Sequence, residues 1–356
     1  MYLKVYILDR LLATIKNFNL VTIMKKLSLF FVSLIINASV SNAHEGHWTA
    51  ARPDGHAPIS VMGDHMHAMG EWMVSYRYMT MDMEGLLHES NEVSKATATS
   101  NYSLSMMGNM LPKTMTMDMH MFGSMYAISD KWTLMSMLNY LDNEMTMQNN
   151  AKMESDGIGD LKLAGLYDLA RWDSGRRIHL NIGISAPTGS IDEKKSDGSI
   201  LGYGMQLGSG TWDFHPAITY LAQAENYSYG AQLGGIIRTS DNDRGYTLGD
   251  RLEAALWGAR KVTDSLSASL KIDYSSQEAI DGEDSALNKM MSTSNRPDHQ
   301  GRDITTLGLG LNYYFQDGGL KGHRLAAEWE TPLDQKVNGV QLELDSSWTL
   351  GWQYAW

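Results

Sequence analysis

Trp348, Leu350, Trp352, Tyr354 and Trp356 take every second position of the chain's last stretch, SWTLGWQYAW, with Gly351, Gln353 and Ala355 between them. In an extended strand this period puts all five large side chains on one face. Such a stripe must be covered, either by a second protein layer, as on an edge strand of a soluble sandwich, or by lipid. The rest of the chain decides between these.

The chain has 356 residues, a net charge of −12 and no Cys. Disulfide scaffolds and thiolate metal sites are therefore excluded, and the acidic balance argues against a nucleic-acid partner. Beyond residue 43 no run approaches the ~20 apolar residues of a membrane helix. A membrane barrel stays open, because its strands alternate and average to mild polarity.

Alternation recurs along the chain. Trp72, Val74, Tyr76 and Tyr78 oppose Met73, Ser75 and Arg77, and Leu266, Ala268, Leu270 and Ile272 oppose Lys271 and Asp273. Leu307, Leu309, Leu311 and Tyr313 oppose Gly308, Gly310 and Asn312. About twelve such strands fit, many longer than the ~5–6 residues of a globular strand. Short connections (128–130, 223–225, 263–264) alternate with mostly long ones (84–113, 142–157, 188–209, 276–302, 331–346). The expected fold is therefore all-β: a closed antiparallel transmembrane β-barrel over 71–356, with short periplasmic turns and long extracellular loops. Lipid offers no hydrogen-bond partner, so every strand must pair and no edge can remain. Twelve strands spaced ~4.8 Å and tilted ~40° give a backbone diameter of roughly 24 Å and a bore of about 10 Å.

The inward parity collects Arg77, Lys162, Arg177, His179, Arg251, Glu253, Lys271, Asp273, Arg324, Glu328 and Glu330 as pore-lining candidates. Mixed signs favour paired charges or a weakly selective pore over a single-ion filter.

Residues 1–43 read as a signal-peptide region. Lys25 and Lys26 follow Met24, Leu27–Ile36 is apolar, and Ser41-Asn42-Ala43 is a small-x-small cleavage site. Translation is expected to start at Met24 and cleavage to follow Ala43, a longer signal region being the alternative. Residues 44–70 then form a Met/His-rich N-terminal segment, either periplasmic or plugging the lumen.

Of the 25 Met, 20 fall between Met62 and Met153, and seven of the 11 His lie between His44 and His120. Met62-Gly63-Asp64-His65-Met66-His67-Ala68-Met69 combines thioethers with two imidazoles at i, i+2. Thioether and imidazole together suit copper, Cu(I) above all. The metal candidates are His65, His67, Met62, Met66, Met69 and His120, with copper as the only ion suggested and no cofactor required. Packing competes with that reading, since Met is apolar and adaptable. Met73 and Met79 share a face with Arg77 and should point inward. Met115–Met121 oppose Asp118 and His120, so that row is expected to face lipid. No nucleophile elbow, zinc-protease motif or phosphate loop is present. His179 and Ser185 share a parity but sit about 20 Å apart along the strand, so an enzyme is not expected.

The chain resembles a family of outer-membrane barrel proteins grouped under the name MetA-pathway of phenol degradation and often labelled transporters. The resemblance rests on Ala57–His67 (APISVMGDHMH), Gly70-Glu71-Trp72-Met73, Met115–Met121, Gly157–Lys162 (GIGDLK), Ala186–Asp192 (APTGSID), Met205–Gly210 (MQLGSG) and Leu350–Ala355 (LGWQYA). It implies the outer membrane of a Gram-negative bacterium and a channel or transporter for a small solute, hydrophobic or aromatic in kind. It supplies no catalytic residues. Outer-membrane lipid would surround the barrel, and Trp348–Trp356 would address the outer-membrane assembly machinery. A copper-handling barrel and a purely structural barrel are the alternatives.

Overall fold

A computed structural model describes residues 48–101 and 110–356. The expected signal-peptide region and the expected mature start at His44 lie outside the described residues.

The strands that build the wall are β1 (Trp72–Glu89), β2 (Pro112–Ser129), β3 (Trp132–Met147), β4 (Lys152–Ile158), β5 (Leu161–Trp172) and β6 (Arg176–Ala186). They continue with β7 (Asp213–Gln223), β8 (Tyr227–Arg238), β9 (Arg251–Lys261), β10 (Leu266–Gln277), β11 (Arg302–Tyr314) and β12 (His323–Ala355). Each pairs antiparallel with its neighbours in sequence, except that β4 and β5 both pair with β3 and not with each other, and β12 pairs with β1 to close the barrel. The main sheet joins 13 strands, of which the two-residue Asn91–Glu92 and the short β4 stand outside the closed path, leaving eleven. β4 continues the line of β5 along the upper part of β3, broken at 159–160.

β12 bends back on itself near Gly339, whose φ of 65° supplies the turn. Its arms, 323–337 and 340–355, stand side by side. The His323 and Tyr354 rings stack at 4.2 Å, Trp352 Nε1 donates to His323 Nδ1 at 2.9 Å, and Gln335 Nε2 donates to the Leu344 carbonyl at 2.9 Å. Counted by arms, the wall has the expected twelve strands. Paired Trp72 and Trp356 hydrogen-bond at 2.9 Å in both directions, so the aromatic end strand is the seam of the barrel.

Two of the expected long loops are strand instead. Residues 142–157 continue β3 and β4 as a hairpin around 148–151, and 331–346 lie wholly within β12. The cause in β12 is a bulge: Asp82 faces Ser346 but Met83 faces Leu344. The extra residue reverses parity, so Val340 and Leu344 point inward between the bend and the bulge, while Thr349 and Gln353 do so on the periplasmic side of the bulge.

The outward face carries Phe122, Leu134, Ile182, Leu309, Trp348 and Leu350, all exposed in the isolated chain. This is the apolar band of a lipid-facing barrel. Among the described residues no helix is long and apolar enough to cross a membrane.

The Met rows correct one expectation. Met73 pairs with Met125, Met79 with Met119, Met81 with Met117 and Met83 with Met115, and Met115 in turn with Met145. Directly opposed residues share a face, and Met73, Met83, Met115, Met121, Met125 and Met145 are buried, as is Arg77 at the same parity of β1. The Met115–Met121 row therefore faces the lumen. Its even-numbered partners face out, where tyrosines on β1 satisfy them: Tyr76 Oη lies 2.8 Å from His120 Nδ1, and Tyr78 Oη donates to Asp118 at 2.9 Å. A polar residue is no inward marker here, because cross-strand tyrosines satisfy it on the outward side.

Candidate functional site: a plugged, thioether-lined lumen

Residues 48–70 fold up into the barrel from the periplasmic end and return to it. Near the rim, Thr49 N donates to Gln223 Oε1 at 2.9 Å, and Ser267 Oγ donates to the Pro53 carbonyl at 2.8 Å. Deeper in, Arg324 reaches the Ala57 carbonyl at 2.9 Å, Arg77 Nε the Ile59 carbonyl at 3.1 Å and Gln232 Nε2 the Met62 carbonyl at 3.0 Å. The segment leaves along Gly70, whose N–H donates to the Ala127 carbonyl at 2.8 Å.

Two glycines make this path sterically available. Gly63 has φ +60°, and its carbonyl accepts from His179 Nε2 at 2.8 Å and Asn181 Nδ2 at 3.2 Å. Gly351 on the wall leaves room for the plug tip, since a Cβ there would lie 2.6 Å from Ile59 Cγ1.

The charged inner residues divide into three groups. Arg77, His179, Lys271, Arg324 and Glu328 hold the plug, and Arg177 lays its guanidinium 4.0 Å from the centre of the Trp48 ring. Lys271 Nζ sits 3.1 Å from Glu328, 2.8 Å from Glu330 and 3.8 Å from Asp273, and also contacts Ser60 Oγ. Lys162, Arg251 and Glu253 stand on strand positions nearer the extracellular end, where Arg251 and Glu253 pair at 2.9 Å.

Inside the plug, His56, Asp64, His65 and His67 cluster together and are nearly fully buried. The His56 and His65 rings meet edge to face at 4.3 Å, and those of His65 and His67 at 4.8 Å. Ligand atoms of His56, Asp64 and His65 fall within 4.8 Å of one another. His65 Nδ1 is 2.8 Å from Asp64 Oδ1, while Asp64 Oδ2 accepts from the Ala57 N–H at 2.9 Å. His67 Nδ1 is 3.2 Å from Glu71. Burial, then the Arg324 charge, pushes the His56 imidazole well below its ordinary value, and burial also lowers His65. Burial alone would raise the Asp64 carboxyl, but the hydrogen-bonded His65, with His56 and Arg324, holds it far below the usual carboxylate range. Burial thus favours the neutral form of His56 and His65 beside the Asp64 carboxylate.

Of the sequence candidates, His65 and His67 come together here, while Met62 lines a small cavity with Asp64 and His65, and Met66 lines the rim cavity with His56 and His67. Met69 is exposed at the periplasmic rim, and His120 is on the outer surface of β2, so neither joins them. His56 and Asp64 complete the cluster. His56 escaped the local motif because it is separated from His65 by the turn through 58–61, where the Val61 N–H closes onto the Pro58 carbonyl at 3.0 Å.

A cavity of about 340 Å³ opens at the periplasmic rim between Trp48, His56, Met66, His67, Arg177 and Arg324. At the extracellular end, Leu201 and Met205 of the connection between β6 and β7 pack on Met83, Met115, Met145, Met147 and Met153. Asp160 pins that connection, accepting from Gly189 N at 2.9 Å and Ser209 N at 2.8 Å. The lumen is thus occupied at both ends, by a polar plug below and a thioether cluster above. Ser185 Oγ lies 2.9 Å from His215 Nε2, but Asp213 bonds Ser185 and Arg238, so it does not orient the far ring nitrogen as a hydrolytic relay requires.

Residues 116–343 match the family described as "Putative MetA-pathway of phenol degradation". The chain belongs to this family. Among solved structures, the phenol-degradation family chain is similar to the COG4313 outer membrane channel from Pseudomonas putida F1, with a TM-score of 0.61 at 13% identity over 83% of this chain and 99% of that one. It is more distantly similar to the beta domain of the Bordetella autotransporter BrkA (TM-score 0.43, 12% identity, 82% and 100% covered). The CymD monoaromatic hydrocarbon channel also matches (TM-score 0.39, 7% identity, 82% and 89% covered). No curated protein sequence matches the chain. The first of these likenesses fixes the fold as that of an outer-membrane barrel. With its lipid-facing band, this places the family member in the outer membrane of a Gram-negative bacterium.

Proposed function

We propose that the protein is an outer-membrane channel for a small, weakly polar or aromatic solute, and that its N-terminal plug opens and closes it. The observation that carries this is the inward direction of every methionine on β1, β2, β3 and β4. Those side chains give the extracellular half of the lumen a soft, deformable apolar wall. An apolar constriction dewets and so resists ions and sugars, while a weakly polar solute partitions into it. The family's description, which concerns phenol degradation, agrees with such a solute. The plug is held mainly by hydrogen bonds to a wall that water could also satisfy, so its withdrawal leaves few groups unpaired.

The selectivity is testable in cells that lack general porins, whose lipopolysaccharide slows phenol as well as sugars. Expression of this protein should accelerate phenol entry several-fold while leaving the entry of glycerol, a polar solute of similar size, near background. Equal acceleration of both, or of neither, would count against a selective channel.

A further inference from the structure

We propose that His56, His65 and His67, oriented by Asp64 and flanked by the thioethers of Met62 and Met66, form a Cu(I)-binding site inside the plug. This stands apart from the solute the channel carries. Three features support it. First, the pattern of orientation is that of metal ligands: His65 presents Nδ1 to Asp64 at 2.8 Å and His67 presents Nδ1 to Glu71 at 3.2 Å. A ring nitrogen fixed on a carboxylate leaves the opposite nitrogen as a basic, aimed lone pair. Second, those opposite nitrogens, His65 Nε2 and His67 Nε2, together with His56 Nδ1, are buried and have no hydrogen-bond partner among the described residues. One unpaired buried nitrogen costs on the order of 1–3 kcal/mol; His56 and His65 bring ligand atoms within 4.8 Å of each other and of Asp64, and His67 adjoins them through its ring contact with His65. Third, the surroundings select among ions. A small cavity beside His65 is bounded by Met62, Met73, Met125, Met135 and Arg77. Thioether with imidazole favours Cu(I) over hard cations. The site holds one buried carboxylate, Asp64, with Glu71 partly exposed at its edge, and the Arg324 charge acts on His56, which opposes a dication more than a monocation.

The test uses the signal-cleaved protein in detergent, kept anaerobic, with Cu(I) supplied as its bathocuproine disulfonate complex. The wild type should withdraw one Cu(I) per chain, and X-ray absorption should show nitrogen and sulfur neighbours. His65→Asn/His67→Asn should abolish the withdrawal, and Asp64→Asn should weaken it about 10–100-fold. Heat-modifiable gel mobility confirms that each variant still forms a barrel. Met62→Leu/Met66→Leu, which conserves volume, should weaken Cu(I) and leave Zn(II) binding unchanged. A wild type that withdraws no copper, a histidine double variant that withdraws it as well as the wild type, or leucine variants with unaltered Cu(I) affinity would each overturn the site as assigned.

Discussion

Deleting residues 48–69 is expected to turn a channel that is nearly always shut into one that is nearly always open. In planar bilayers the wild type should show rare openings, and the deletion should raise the open fraction by roughly 10–1,000-fold. That range corresponds to a minor open state populated at about 0.1–10%. The residues the plug leaves behind, among them Arg77, Gln232, Arg324 and Glu328, are polar and would meet water on its removal. The wall itself is paired strand to strand all the way round, with β12 on β1 as the closing seam. The barrel should therefore assemble without the plug. The thioether cluster around Met205 remains as a second constriction, which limits the size of each current step but not how often steps occur. A deletion protein that assembles yet opens no more often than the wild type would place the closure elsewhere.

Lys271→Met is expected to cost about 3–5 kcal/mol of barrel stability, read as a fall in the urea midpoint of the protein in lipid vesicles. Lys271 and Glu328 are almost wholly buried, and the ammonium lies within 3.1 Å of both Glu328 and Glu330. Met fills the volume but leaves the Glu328 and Glu330 carboxylates, with Asp273 beside them, without their cation, and uncompensated buried charge is far more costly than an apolar replacement of the whole set. Gly308 shows how tightly the group is fitted, since a Cβ there would lie 2.7 Å from Glu328 Oε1. Removing the charge on both sides, as Lys271→Met with Glu328→Gln and Glu330→Gln, should recover most of the loss. A single variant as stable as the wild type would mean that water already neutralises this cluster.

The fold was readable from residues such as Trp348, Leu350 and Trp352, because a lipid-facing strand keeps strict alternation while only one side meets hydrocarbon. Legibility faded where the strands leave the membrane. In 142–157 both faces meet polar surroundings or loops, so alternation no longer separates strand from loop, and in 331–346 the bulge at Asp82/Met83 reverses parity. The direction of Met115–Met121 was misjudged because Asp118 and His120 carried the inference, whereas the deciding fact is cross-strand: Arg77 opposes Met121 and must reach the plug. His65 and His67 announced themselves by local spacing. His56 and Asp64 became part of the site only through the turn at Pro58 and the confinement of the segment within the lumen. No pattern along the chain encodes which lumen residues a plug will touch, since that depends on register around the whole barrel.

The plug as the gate can be tested most directly by fastening its tip to the wall. Ile59 and Gly351 are in near contact, a Cβ at Gly351 falling 2.7 Å from Ile59 Cδ1. The chain has no Cys of its own, so Ile59→Cys/Gly351→Cys introduces a single pair with the separation a disulfide needs. Phenol entry into porin-deficient cells should fall to background while the pair is oxidised and return to the wild-type rate on reduction with dithiothreitol. Wild-type entry through the oxidised form, with the cross-link confirmed by mass spectrometry, would contradict a plug that gates the channel.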